Sequence, residues 1–179
     1  MTELDKIVDA NKHYSHNFKH GKLSIPPARK LAVLACMDAR LNVNEALGLE
    51  TGDAHIIRNA GGIATDDAIR SLIISHELLG TQEFVVINHT DCGMLTFTDK
   101  DLQKDLTQKY GSDASEIKFY SFPNLEENVK NQVNKIKSTP FLPSNIPVNG
   151  FIYDVKSGKI EKITDDQKTI NEISTQSSS

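Results

Sequence analysis

Two short stretches put thiol, imidazole, carboxylate and guanidinium groups within reach of one another. In Cys36-Met37-Asp38-Ala39-Arg40 an apolar run, Leu31 to Cys36, ends in a cysteine, with a carboxylate two residues on and a guanidinium two further. The only other cysteine, Cys92, follows a second apolar run, Phe84 to His89, and has His89 three residues before it. Thiolates and imidazole are the ligands zinc prefers, and catalytic zinc keeps three protein ligands with the fourth position open. Cys36, His89 and Cys92 supply three. Asp38 can either close the site as a fourth ligand or pair with Arg40 and accept a hydrogen bond from a bound water. Two thiolates formally neutralise the ion, so water on it should be less acidic than at a three-histidine site, where its pKa is about 7.

Blander readings use the same residues. Two cysteines also occur as core residues, and Asp38 and Arg40 as a structural ion pair. A thioredoxin-type redox pair is disfavoured because the sequence has no Cys-x-x-Cys. What favours a metal site is placement: both cysteines, a histidine and the Asp/Arg pair fall at the ends of two expected strands. In open α/β sheets, ligands bind beyond the carboxyl ends of strands.

The elements around these stretches alternate. Leu31–Cys36 reads as a buried parallel strand, and residues 42–49 as a short helix closed by Gly48 or Gly52. His55–Arg58 is a second strand, leading into Asn59-Ala60-Gly61-Gly62. Thr65 caps a helix with Asp66 and Asp67 in its first turn, apolar spacing through Leu79 and a stop at Gly80. On its stripe His76 reads as a buried structural residue. Phe84–His89 is apolar throughout and therefore central. Thr98 with Asp101 begins a largely exposed helix. Asn124 with Glu127 begins another, with Val129, Val133 and Ile136 as its stripe. Phe151–Val155, a turn at Ser157-Gly158 and Lys159–Ile163 read as a hairpin. Near the N-terminus a helix over 11–22, ended by Gly21, would align His13, His16 and His20 on one exposed polar face. The pattern predicts one α/β domain over residues 1–163, a mainly parallel central sheet flanked by helices, with a late antiparallel edge strand. Residues 164–179 read as a flexible tail.

Composition narrows the function classes. With 38% hydrophobic and 25% charged residues, the 179-residue chain is of a size and type to bury one core. No run approaches the roughly 20 apolar residues that span a bilayer, so no membrane association is expected. A net charge of -4 argues against a nucleic-acid partner. Two cysteines and no export signal lead to the expectation of a reducing, cytoplasmic location.

Taken together, Cys-x-Asp-x-Arg at 36–40, Arg58-Asn-Ala-Gly-Gly62 and His89-Thr-Asp-Cys-Gly-Met94 resemble the β-class carbonic anhydrases of the short bacterial and archaeal type, over about residues 30–160. Asn88 stands where members often carry glycine. The resemblance implies one zinc per subunit on Cys36, His89 and Cys92, with Asp38 and Arg40 as catalytic residues. Asn59, Ala60, Gly61 and Gly62 would border the substrate pocket. The implied reaction is reversible hydration of carbon dioxide to bicarbonate and a proton by a zinc-bound hydroxide. Carbon disulfide and carbonyl sulfide hydrolases share the scaffold and are the alternative, and a non-catalytic zinc or bicarbonate-sensing module is a third reading. Family members are built from dimers, so a homodimer or dimer-based oligomer is implied, with a helical arm at residues 3–20 embracing the partner. For the proton shuttle, His55 and Tyr110 are candidates beside buffer.

Overall fold

The computed structural model describes residues 1–163 of the 179. Its sheet has five strands: β1 (Leu31–Cys36), β2 (Ala54–Asn59), β3 (Glu83–His89), β4 (Val148–Tyr153) and β5 (Ile160–Ile163). Their order is β2-β1-β3-β4-β5, parallel except for the β4/β5 pair, which is antiparallel. The expected α/β architecture and its antiparallel edge are therefore both present. β3 is the central strand, in keeping with its apolar, buried run from Phe84 to Ile87. The expected tail, 164–179, lies outside the described residues.

Strand alternation divides the core in two. Ala32, Leu34, Phe84 and Val86 face α3 (Asp66–Glu77) and α5 (Leu125–Lys137), where Leu72, Val129 and Ile136 meet them. Val33, Ala35, Val85 and Ile87 face the other way, onto Leu41, Val43 and Leu49 around α2 (Val43–Leu47). α3 and α5 start on the expected caps, Thr65 and Asn124, whose side chains accept from Ala68 and Glu127 N–H, and Asn42 caps α2 in the same way, accepting from Glu45 N–H. Thr98 likewise caps α4 (Asp99–Tyr110), which buries nothing among the described residues.

The N-terminal helix falls within the expected arm at 3–20 but begins and ends earlier than the 11–22 pattern predicts. α1 spans Glu3–His16, because Thr2 and Asp5 form a reciprocal capping box well before residue 11. It ends at Asn17, whose side-chain amide donates to His13 O (3.1 Å) and whose N–H turns back to Tyr14 O. His20 is thus beyond the helix, and the three histidines do not share a helical face. His76 is half-buried rather than buried. The buried positions of α3 are Ala68, Leu72 and Ser75, and His76 sits at the stripe's margin, its Nδ1–H donating to Thr81 O (2.6 Å). β4 begins at Val148, three residues before the expected start.

One close approach fixes α5 on the sheet. A Cβ on Gly150 of β4 would lie 2.5 Å from Val129 Cγ1 and 3.0 Å from Val133 Cγ2, so the helix can sit this low only over glycine. Gly150→Ala should therefore destabilise the fold by about 1–3 kcal/mol through overpacking. Urea unfolding of the two proteins measures it.

Candidate metal centre

The parallel registers bring the two reactive stretches to one edge. Ala35 pairs with Ile87 of β3, and Cys36 with Asn59 of β2, so β1 ends between the other two strands. Beyond Cys36 the chain is pinned from β2: Met37 N–H donates to Asn59 O (2.9 Å), while Arg58 donates to Cys36 O (3.0 Å) and Asp38 O (2.7 Å). Beyond His89 the chain doubles back through Asp91, whose φ of 55° is left-handed. Aspartate tolerates that region better than most residues, and the reversal returns Cys92 towards His89.

As a result the ligand atoms of Cys36, His89 and Cys92 lie within 4.8 Å of one another, all three residues buried. The histidine is prepared for a metal. Its Nδ1–H donates to Thr90 O (2.9 Å), which leaves the lone pair on Nε2. That Nε2 is buried and has no hydrogen-bond partner among the described residues; the nearest carboxylate oxygen, Asp38 Oδ2, stands 3.6 Å away. An orphaned acceptor between two thiols is the donor set of a closed-shell, thiophilic divalent ion such as zinc.

The two thiols are driven apart in acidity. The Cys92 S–H stabilises a thiolate at Cys36, His89 adds to it when Nε2 is protonated, and the Asp38 and Gly61 N–H groups contribute, so the Cys36 pKa is lowered despite burial. The Cys36 thiolate and burial raise that of Cys92. Burial opposes charge on His89, but Cys36, the Thr90 carbonyl and Asp38 together leave its pKa raised.

Beside the ligands lies an ion-pair network. Arg40 N–H and Nε–H donate to Asp38 Oδ1 (2.9 and 3.0 Å), and Nη2 donates to Oδ2 (2.8 Å). The bidentate grip holds the Asp38 carboxyl far below the usual carboxylate range. The same guanidinium reaches Asp91, through Nη1 to Oδ2 (2.8 Å) and Nη2 to the carbonyl oxygen (3.0 Å). Asp38 and Asp91 accordingly raise the arginine's pKa.

These groups open onto a cavity of about 410 Å³ whose wall is completed by Met37, Ala60, Gly61, Gly93, Met94, Thr96 and Phe97. Its mixed thioether, aromatic and small-residue lining suits a small uncharged molecule. Of the loop expected at the pocket, Ala60 and Gly61 line it, while Asn59 and Gly62 stand behind. Asn59 clamps the loop, donating to Ile63 O and accepting from Ile63 N–H, both at 2.7 Å. Gly62, at φ 62°, lies so close to β1 that a Cβ would meet Cys36 N at 2.9 Å. A closed chain of buried amides backs the loop. Asn88 donates to Gly61 O (2.8 Å), Asn128 to Asn88 (2.6 Å), Gln132 to Asn128 (2.8 Å), and Ala64 N–H to Gln132 (2.9 Å). Sequence reasoning missed Asn128, Gln132 and the roles of Arg58 and Asp91, although Asp91 lies between two ligands in the motif itself. Neither His55 nor Tyr110 lines the cavity. His55 pairs with Ala32, towards the far end of β2, and hydrogen-bonds Ser75 Oγ (2.7 Å).

The family model for carbonic anhydrase matches residues 31–160, the span that holds the whole sheet edge and all three candidate ligands. The chain belongs to the β-carbonic anhydrase family. It is 43% identical over 164 residues to β-carbonic anhydrase 1 of Mycobacterium tuberculosis, covering 92% of this chain and 99% of that one. The crystal structure of carbonic anhydrase from Streptococcus mutans superposes with a TM-score of 0.85 at 43% identity, covering 92% of this chain and 99% of the other. A carbon disulfide hydrolase from Acidithiobacillus thiooxidans is 38% identical over 179 residues, covering 88% and 87%. The β-carbonic anhydrase family uses zinc, and the Cys-His-Cys cluster fits such an ion.

The opposite shifts of the two thiols give a measurable stoichiometry. With Cys36 already a thiolate, metal uptake at neutral pH should displace about one proton, from Cys92, where two ordinary thiols would give about two. Because the His89 pKa is raised, the number should climb as pH falls and His89 protonates in the metal-free protein. Calorimetric zinc titrations in buffers of different ionisation enthalpy count the protons.

Proposed function

We propose that this protein is a zinc-dependent carbonic anhydrase, catalysing the reversible hydration of carbon dioxide to bicarbonate and a proton. The observation that carries the reading is the unpartnered, buried His89 Nε2 between two thiols, opening onto a largely apolar cavity beside an Arg-held carboxylate. In this reading Cys36, His89 and Cys92 hold the zinc, one ion per subunit. Zinc so held supplies Lewis acidity, bringing the ionisation of a water within reach of physiological pH. The remaining work falls to the chain. Asp38, kept ionised by Arg40, would accept a hydrogen bond from that water and orient its lone pair towards the cavity. Met37, Met94 and Phe97 give linear, uncharged carbon dioxide a wall without hydrogen-bond donors, while Ala60 and Gly61 leave room for it beside the metal.

Stopped-flow carbon dioxide hydration on zinc-loaded protein tests the roles. Asp38→Ala should bind zinc as wild type does yet lose about a hundredfold in kcat/KM, the scale of one positioned proton acceptor. Cys36→Ser should lose metal and activity together. Wild-type turnover no faster than that of Cys36→Ser would overturn the assignment. The relationship to carbon disulfide hydrolases makes sulfide release from carbon disulfide the parallel assay, and hydration of carbon dioxide should be the faster reaction.

The same reading includes a homodimer, or an oligomer built from dimers, in a reducing cytoplasm. Supporting the dimer, no residue of α1 is buried among the described residues, and Leu4 and Ile7 are 68% and 64% exposed. A 14-residue helix with no packing partner is marginal in water, so a second subunit is the natural cover. Two buried free thiols suit a reducing compartment, and no helix of the described residues is long and apolar enough to cross a membrane. Removing residues 1–20 should convert the dimer to monomer in sedimentation velocity.

A further inference from the structure

We infer that Asp91 is a positioning residue that keeps the metal's fourth position open, by anchoring Arg40 so that Arg40 holds Asp38 away from it. The inference rests on the metal-site reading above and extends it to a residue outside the ligands and the Asp38–Arg40 pair. The geometry divides the guanidinium between two carboxylates. Its Nε and Nη2 edge faces Asp38 at 3.0 and 2.8 Å, while Nη1 and Nη2 reach Asp91 Oδ2 and the Asp91 carbonyl at 2.8 and 3.0 Å. Arg40 is therefore fixed from the β3 side, by a residue that belongs to the same reversal as His89 and Cys92.

The need for an anchor follows from position. Asp38 Oδ2 is only 3.6 Å from His89 Nε2, the atom that faces the metal. A modest rotation of Asp38 would deliver a carboxylate oxygen to a divalent ion, and such an oxygen is a competent zinc ligand. What resists the rotation is the Arg40 grip, and Arg40 is a long side chain, nearly half exposed. A solitary exposed arginine loses rotamer freedom when it pairs, so its hold on a carboxylate is weak. Asp91 restrains the guanidinium beforehand and leaves its Asp38-facing edge preformed. The backbone at Asp91 serves both ends. The left-handed φ that returns Cys92 to the site also points the Asp91 carbonyl and carboxylate at Arg40.

Azide binding to the cobalt-loaded protein, followed by the visible spectrum, reads the fourth position directly. Asp91→Gly removes the carboxylate at a φ that glycine accepts. Asp91→Asn keeps the turn with nearly the same side chain, and so guards against a loosened loop. Both variants should bind azide about fivefold more weakly, the scale of one well-placed exposed ion pair. Simple electrostatics predicts the opposite sign, since an anion should gain from the loss of a nearby negative charge. In an Asp38→Ala background, where no carboxylate can close the site, the same substitutions should change azide affinity by less than about twofold. Affinity within twofold of wild type in both variants, or an undiminished loss in the Asp38→Ala background, would overturn the role of Asp91. Wild-type protein that fails to show a thiolate-ligated cobalt spectrum would instead overturn the metal-site reading, so the two failures are distinct.

Discussion

The parallel pairing of β1 with β3 is the constraint on which the site depends. Fifty-six positions separate Cys36 from Cys92, yet the register that sets Ala35 beside Ile87 ends both strands at one edge. A slip of one residue would turn Val33 and Val85 from the α2 face to the α3/α5 face and carry Cys36 to the wrong side. Because both faces of these strands are buried, the register is held by two separate apolar layers. The chemistry therefore inherits its precision from Val, Leu, Ile and Phe packing remote from any reactive atom.

Around that edge, buried polarity is satisfied almost everywhere by short and directional contacts. Asn88, Asn128 and Gln132 are all buried, and each spends its amide on a neighbour or on the glycine loop. Such a chain is costly if any one member is lost, and for that reason it holds the Gly61–Gly62 backbone in one place. Gly61 then presents its N–H to the Cys36 sulfur while its carbonyl is held by Asn88. Asp99 performs a similar service further out, accepting N–H bonds from Phe119, Tyr120 and Ser121 and fixing the segment that delivers Phe122 beside the cysteines.

How much of this was legible in sequence follows from which interactions are local. The strands ending at Cys36 and His89, and the caps at Thr65, Thr98 and Asn124, are encoded within a few residues of where they act, and reading the chain finds them. The N-terminal helix lies within the arm that the family resemblance implies at 3–20, but its ends are set by a capping box at Thr2 and Asp5 and a side-chain return at Asn17, not by Gly21 as the residue pattern suggests. The contacts of Asp91 with Arg40, and of Asn88 with Asn128, span 51 and 40 positions, and no periodicity announces them. His55 shows the same limit from the other side: its residue type suits proton transfer, but only the register reveals that it lies towards the opposite end of β2.

One polar atom in this edge stays unsatisfied, and its location is informative. A buried imidazole nitrogen without a partner costs about 1–3 kcal/mol, and a buried thiolate beside it adds a desolvation cost. Removing either cost would be simple for a chain under selection for stability alone. Leucine at 36 or 92 would fill the space, and the Asp38–Arg40–Asp91 network would lose nothing. Instead Nδ1 is committed to the Thr90 carbonyl, which prevents His89 from turning its free nitrogen towards another donor. The metal-free fold thus carries a cost that a divalent ion held by these residues would remove, which would make binding energy part of the folding energy. The same tension explains why Arg40 and Asp91 lie at the rim rather than in the core. Charges there remain partly hydrated, so they can steer Asp38 without adding a further burial cost to an edge that already carries one.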